Sequence, residues 1–212
     1  MSIGDRETAN VNVVDGSLPA SVCVYCGSST GSLPQYAEAA QVLGALLARH
    51  RIRLVFGGGS VGLMGVLADA VLEGGGQVTG VIPHQLRTAE LAHEGISEMI
   101  AVDSMHARKQ RMVELAEAFI ALPGGIGTLD ELFETWTWLQ LGIHHKPVGV
   151  LNVAGYYDQL LLFLERMSVH KFLARDHLDC LVVETEAQRL LTSLGHFRNT
   201  IAGREAKAGA AP

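Results

Sequence analysis

A chain of 212 residues that is 48% hydrophobic but only 6% aromatic fits one large domain of aliphatic strands under Ala/Leu helices, and excludes wholesale disorder. Its net charge of −6 argues against nucleic acid as a ligand, because a polyanion needs clustered Lys and Arg and no long basic run occurs. No apolar run reaches the roughly 18 residues of a membrane span, and residues 1–14 lack the basic and apolar regions of a secretion signal, so a cytoplasmic protein with no membrane partner is expected.

In chain order, 1–20 is polar and unperiodic and 203–212 is rich in Ala, Gly and Lys, so both are expected to be flexible tails around a single domain over 21–202. Within that domain, periodicity predicts strand 22–25, helix 34–50, strand 54–56, helix 64–73, strand 77–82, strand 98–102 and helix 105–118. It continues with strand 119–122, helix 128–141, strand 148–152, helix 157–170, strand 181–183 and helix 186–194. This is the rhythm of an α/β fold, a Rossmann-like doubly wound parallel sheet with helices on both faces. Ligands of such folds bind beyond the carboxyl ends of the strands.

The first strand carries Cys23 and Cys26, whose C-x-x-C spacing is that of redox and zinc motifs. An offset of three on a period-two strand sends the thiols to opposite faces, and three cysteines in all fit a reducing compartment better than a disulfide framework. Buried strand thiols are the expected reading.

The second strand runs into Gly57-Gly-Gly-Ser-Val-Gly-Leu-Met-Gly, which holds a literal G-x-G-x-x-G in Gly57, Gly59 and Gly62. The following strand ends Gly80-Val-Ile-Pro-His, without the carboxylate that would hold a dinucleotide ribose, and the Lys-Ser/Thr of a Walker loop is missing. Phosphate contact is one reading of these glycines and tight turning is the other. Next, Met105-His-Ala-Arg-Lys opens a helix near the same end of the sheet. There Arg108 offers a planar fork to phosphate or ribose oxygens and Lys109 a point charge, while Arg111 reads as a solvated face.

After strand 119–122 comes Pro123-Gly-Gly-Ile-Gly-Thr-Leu-Asp-Glu, again leading into a helix. Glycine admits a ligand to the backbone without a Cβ in the way, and the helix N-terminus presents N–H groups with partial positive charge. The Thr128 hydroxyl can bond a phosphate oxygen. Glu131 would be repelled by phosphate and is expected to face the sugar or a water; a first-turn acid serving the helix dipole is the alternative. Successive helical residues point about 100° apart, so only one of Asp130 and Glu131 can face the pocket. The nine histidines show no ligand spacing such as H-E-x-x-H, and neither a metal nor a cofactor is expected. Trp136 and Trp138 pack in the core or lie on a surface that an isolated domain leaves open.

Taken together, Cys26-Gly-Ser-Ser, the 57–65 loop, Met105-His-Ala-Arg-Lys, the 123–131 loop, Leu141-Gly-Ile-His-His-Lys-Pro-Val-Gly-Val-Leu-Asn-Val and Gly155-Tyr-Tyr resemble the LOG family. These are cytokinin riboside 5′-monophosphate phosphoribohydrolases, often mislabelled lysine decarboxylases, and the likeness runs from about residue 21 to about residue 194. It implies hydrolysis of the N-glycosidic bond of an adenosine-type 5′-monophosphate, AMP or prenylated AMP, to free adenine or cytokinin base and ribose 5-phosphate. It also implies a homodimer whose helices jointly shape the base pocket.

By position the resemblance implies Arg108 and Glu131 as the catalytic pair. Substrate-binding roles fall to Ser28, Gly58, Gly59, Glu90, Met105, Lys109, Gly124, Gly125, Ile126, Gly127, Thr128, Leu129, Asp130 and Thr137. Ile126 and Asp130 stand where many members carry Tyr and Glu, and Thr88-Ala-Glu departs from the family pattern. The implied roles agree with the chemistry: a carboxylate stabilises the ribose as it gains oxocarbenium character and can deprotonate the attacking water. Two other readings stay open. One is a nucleotide carrier or sensor without cleavage. The other is a pyridoxal-phosphate decarboxylase, for which the Schiff-base lysines available are Lys109, Lys146, Lys171 and Lys207.

Overall fold

The computed structural model describes residues 18–86 and 92–208, with side-chain detail through residue 197. Short aliphatic runs form β1 (Ser21–Tyr25), β2 (Arg53–Phe56), β3 (Val78–Pro83), β4 (Glu98–Val102), β5 (Ala118–Ala121), β6 (Val148–Leu151) and β7 (Leu181–Glu184). They pair in parallel throughout, in the order β4-β3-β2-β1-β5-β6-β7. The central strand β1 is buried at every residue, whereas edge strand β4 is exposed or half-buried along its length. Parallel strands covered on both faces need such continuous apolar runs.

Between the strands run α1 (Pro34–Arg49), α2 (Gly62–Glu73), α3 (Met105–Leu115), α4 (Ile126–Gln140), α5 (Asp158–Val169), the single turn α6 (Arg175–Leu178) and α7 (Ala187–Ala208). Helices α1, α2 and α7 pack with Val22, Val24 and Cys26 on one face. Helices α3, α4 and α5 pack with Cys23 and Tyr25 on the other. The two thiols therefore lie on opposite faces, as their spacing on a strand predicts. In α1, Pro34 occupies the first turn, where no intrahelical N–H is lost. Ala40, Leu43, Gly44 and Leu47 form its buried stripe. A Cβ on Gly44 would come within 2.7 Å of the Ala70 Cβ, so glycine sets the close approach of α1 to α2.

Several element bounds differ from those expected, and three of the differences have a clear local reason. Helix α4 begins at Ile126, so Ile126 and Gly127 belong to its first turn rather than to the preceding loop. Helix α3 ends at Leu115 because extended Ala116 leads straight into β5. Helix α7 continues through Ala208, into the stretch read as a tail, carried past Gly203 by residues of high helix propensity. The expected N-terminal tail lies outside the described residues up to Leu18, which packs on the core. Trp136 is a core residue, its indole N–H donating to the His177 carbonyl at 3.2 Å, and Trp138 is half-buried beside it. Among the described residues, no helix is long and apolar enough to cross a membrane.

Candidate active site

Strand order reverses between β1 and β5, and their carboxyl ends open the crevice where ligands of doubly wound sheets bind. The loops leaving these strands are tied together there. The Gly27 N–H donates to the Pro123 carbonyl at 3.0 Å, and the Gly27 carbonyl accepts from the Leu63 N–H at 3.0 Å. Beside this seam lies a cleft of about 290 Å³ lined by Ser28, Gly31, Tyr36, Gly124, Gly125 and Tyr156 among others. A larger hollow of about 730 Å³ between α5, α6 and β7 contains none of the predicted site residues.

The turn entering α4 divides its glycines into two kinds. A Cβ on Gly124 would overlap the Thr128 hydroxyl and lie 2.9 Å from the Gly27 nitrogen. Thr128, only 4% exposed, therefore braces the turn from beneath, with its hydroxyl tucked against Gly124. A Cβ on Gly125 or Gly127 would meet no atom within 4 Å, so the fold itself makes no demand for glycine at either position. Their bareness leaves the first-turn amides of α4 open to a ligand, at the end of the helix where N–H groups lack intrahelical acceptors and the dipole favours an anion. Ile126 is 87% exposed at the rim and Leu129 is half-buried behind it.

Arg108 and Glu131 reach this region from two helices. Ser104 caps α3, its Oγ accepting from the Ala107 N–H at 3.1 Å, and the inward face of α3 carries Arg108, Met112 and Val113. Arg108 is 6% exposed; its Nη2 donates to the Gly57 carbonyl at 3.0 Å and Nη1 lies 3.8 Å from the Met105 sulfur. Its Nε is buried without a hydrogen-bond partner. A guanidinium withdrawn from water with a donor to spare favours an anion beside it. Burial pushes the Cys23 thiol well above its ordinary pKa; the Glu131 carboxylate adds to the rise and Arg108 opposes it. Both charges thus act on one buried sulfur in the middle of β1, and Glu131 itself is half-buried.

The remaining predicted residues are distributed unevenly. Lys109 lies between Asp130 at 3.2 Å and Glu134 at 2.9 Å. Partial burial works to lower its pKa, but those two carboxylates hold it above its ordinary value. Its charge is thus balanced by α4 rather than directed at the glycine turn. Asp130 is exposed and faces Lys109, whereas Glu131, about 100° around the helix, is half-buried. Ser28 and Met105 are exposed, as is Thr137, which sits on the order of 13 Å beyond Thr128 along α4. Glu90 lies outside the described residues.

In the first glycine loop, Gly58 has φ +82° and its carbonyl accepts from the His93 N–H at 2.9 Å, while Gly59 bridges Ala92. A Cβ on Gly57 would overlap the Arg108 guanidinium, and Gly62 is pressed against the Ser28–Ser29 backbone. The G-x-G-x-x-G here has intramolecular reasons. Sequence reasoning assigned no site role to Tyr156, whose hydroxyl donates to the Gly124 carbonyl at 2.6 Å; the available signal was Gly155-Tyr-Tyr directly after a strand's carboxyl end.

Residues 64–194 match the family described as possible lysine decarboxylase. The chain is also 51% identical over 176 residues to a cytokinin riboside 5′-monophosphate phosphoribohydrolase of Arabidopsis thaliana, an alignment covering 83% of this chain and 81% of that one. The chain belongs to the LOG family. A second LOG-family relative, the cytokinin riboside 5′-monophosphate phosphoribohydrolase LOG of Oryza sativa subsp. japonica, is 48% identical over 176 residues, 83% of this chain and 73% of the relative. Among solved structures, the LOG-family chain is similar to the Moco carrier protein of Chlamydomonas reinhardtii, with TM-score 0.63 and 18% identity over 85% of this chain and 98% of that one. At that identity the likeness shows the fold alone.

A decarboxylase would need a lysine amine open to a cofactor aldehyde. In this LOG-family chain Lys109 is ion-paired, and Lys146 donates to the Val113 carbonyl at 2.6 Å in a hollow at the opposite, amino end of the sheet. Among the described residues, no three His, Cys, Asp or Glu side chains gather where they could hold a metal ion.

Proposed function

We propose that this protein hydrolyses the N-glycosidic bond of adenosine-type 5′-monophosphates, releasing the free base and ribose 5-phosphate. The observation that carries the reading is the pair of bare glycines, Gly125 and Gly127, at the head of α4, together with a buried Arg108 seated on the loop after β2 and a half-buried Glu131 in the second turn of α4. The α4 amides hold the phosphate and Arg108 neutralises it. This fixes the ribose so that its anomeric carbon lies by Glu131, and remote binding energy orients the reacting centre. Water adds to C1′ and gives its proton to the Glu131 carboxylate. The electrons of the C1′–N9 bond leave with the base, which takes up a proton from solvent. The names of the relatives, which act on cytokinin riboside 5′-monophosphate, support the same substrate class.

A homodimer belongs to this reading. Ile126 and Leu141 at the two ends of α4, and Ile143 just beyond, are 87%, 66% and 64% exposed. They form apolar surface that a second copy would cover. Thr137 lies between them and would face that copy's substrate rather than its own cleft. A cytoplasmic location is supported by Cys23, Cys26 and Cys180 standing as thiols rather than in disulfides, the form that a reducing compartment keeps.

The deciding experiment incubates the protein with AMP and with prenylated AMP and separates the products by chromatography. Stoichiometric free base and ribose 5-phosphate are expected. Binding of either nucleotide with no base released would make the protein a carrier instead. Light scattering should give twice the chain mass; a monomer at micromolar concentration would contradict the shared site.

A further inference from the structure

The segment after β6 is built with more constraint than a connector needs. Ala154 adopts φ +50° and Gly155 φ +72° in succession, a left-handed run that L residues avoid. The Asn152 side chain fixes it, accepting from the Tyr157 N–H at 2.8 Å and donating to Asp158 at 2.7 Å. The turn presents two adjacent tyrosines to one loop: the Tyr156 hydroxyl donates to the Gly124 carbonyl and the buried Tyr157 hydroxyl to the Leu122 carbonyl, each at 2.6 Å. The Tyr156 ring is held edge-on by Tyr157 at 4.9 Å and by Tyr36 at 5.6 Å.

The two hydrogen bonds have different consequences. In a trans peptide the C=O and the following N–H point to opposite sides, so a donor fixing the Gly124 carbonyl also fixes the direction of the Gly125 N–H. The Leu122 carbonyl precedes Pro123, which has no N–H to direct. We propose that Tyr156 is a positioning residue for phosphate recognition: its hydroxyl sets the Gly124–Gly125 peptide so that the Gly125 amide meets the phosphoryl group. Tyr157 braces the fold without that effect. Polarisation adds to orientation, since a carbonyl that accepts a strong hydrogen bond makes the amide of the same peptide a better donor. The inference rests on the nucleotide-hydrolase reading.

The test compares wild type, Tyr156→Phe and Tyr157→Phe by calorimetric binding of ribose 5-phosphate and by steady-state hydrolysis of AMP. Removing one hydrogen bond that orients one phosphate ligand is expected to weaken ribose 5-phosphate binding roughly 3- to 10-fold in Tyr156→Phe. KM for AMP should rise by the same factor, with kcat within about twofold and the thermal midpoint nearly unchanged, as the ring and its edge contacts remain. Tyr157→Phe strips a buried carbonyl of its partner, so its midpoint falls by several degrees while ribose 5-phosphate affinity, measured well below that midpoint, stays within about twofold. Equal affinity in wild type and Tyr156→Phe overturns the assignment of Tyr156 and leaves the hydrolase reading standing, as does equal weakening in both variants. Wild type that neither binds ribose 5-phosphate nor releases base from AMP overturns both.

Discussion

The guanidinium of Arg108 donates to the Gly57 carbonyl at 3.0 Å, and no space for a Cβ remains between them. A residue from the helix after β4 is thereby locked against the loop after β2. This explains a glycine whose φ is unremarkable: Gly57 is small so that a buried cation can approach its backbone. Gly57→Ala is expected to push the guanidinium off its seat, reducing kcat/KM for AMP by about 100-fold, a loss in line with misplacing a positioning group. Stability should fall by only about 1–3 kcal/mol, the usual range for overpacking. Steady-state kinetics together with urea unfolding separates the two effects.

Gly124 and Gly125 are neighbours with opposite sensitivities. Alanine at 124 collides with Thr128 and the Gly27 amide, so Gly124→Ala should lower the thermal midpoint by several degrees, as a change of about 1–3 kcal/mol does in a domain of this size. Alanine at 125 meets nothing. Gly125→Ala should keep the wild-type midpoint and still raise KM for AMP by about tenfold or more, because its methyl group occupies the space of the ligand. Differential scanning fluorimetry and initial-rate kinetics on the two variants check the pair.

This contrast marks how far the sequence could be read. Strand and helix alternation, the parallel sheet and the carboxyl-end location of the loops were legible because hydrophobic periodicity is a local signal. The placement of Cys23 and Cys26 on opposite faces followed from strand geometry alone. What was not legible depends on contacts between distant segments. Gly57 and Gly125 look alike in sequence, yet one is reserved for Arg108 and the other is open. Lys109 reads as a phosphate contact until α4 brings Asp130 and Glu134 against it. The Tyr156 hydroxyl is 32 positions from the carbonyl it holds, beyond any periodicity argument. Helix α7 outran its expected end because its last turns carry good helix formers without the apolar stripe that a sequence reading follows.

His144 sets a pH dependence of stability. Its Nε2–H donates to the Thr135 carbonyl at 3.0 Å and its Nδ1 accepts from the Lys146 N–H at 3.2 Å, so the ring is neutral with both nitrogens occupied. Burial pushes its pKa from the ordinary 6.5 down to about 4, and the charges of Lys146 and His145 act in the same direction. The unfolded chain therefore binds a proton between these values that the folded chain refuses. The contribution of His144 is complete above about pH 6.5 and is lost as pH falls toward 4, on the order of 1–3 kcal/mol in all. Urea unfolding at pH 7 and pH 4.5 should show this decline, and His144→Gln should flatten the part that His144 causes.

Replacing Glu131 with glutamine and measuring both ribose 5-phosphate binding and base release from AMP tests the central claim most directly. Loss of a carboxylate that accepts the proton of the attacking water predicts a fall in kcat of about 10²–10⁴-fold, with ribose 5-phosphate affinity retained to within a few-fold because the α4 amides and Arg108 are untouched. A Glu131→Gln protein that releases base at the wild-type rate would contradict the account.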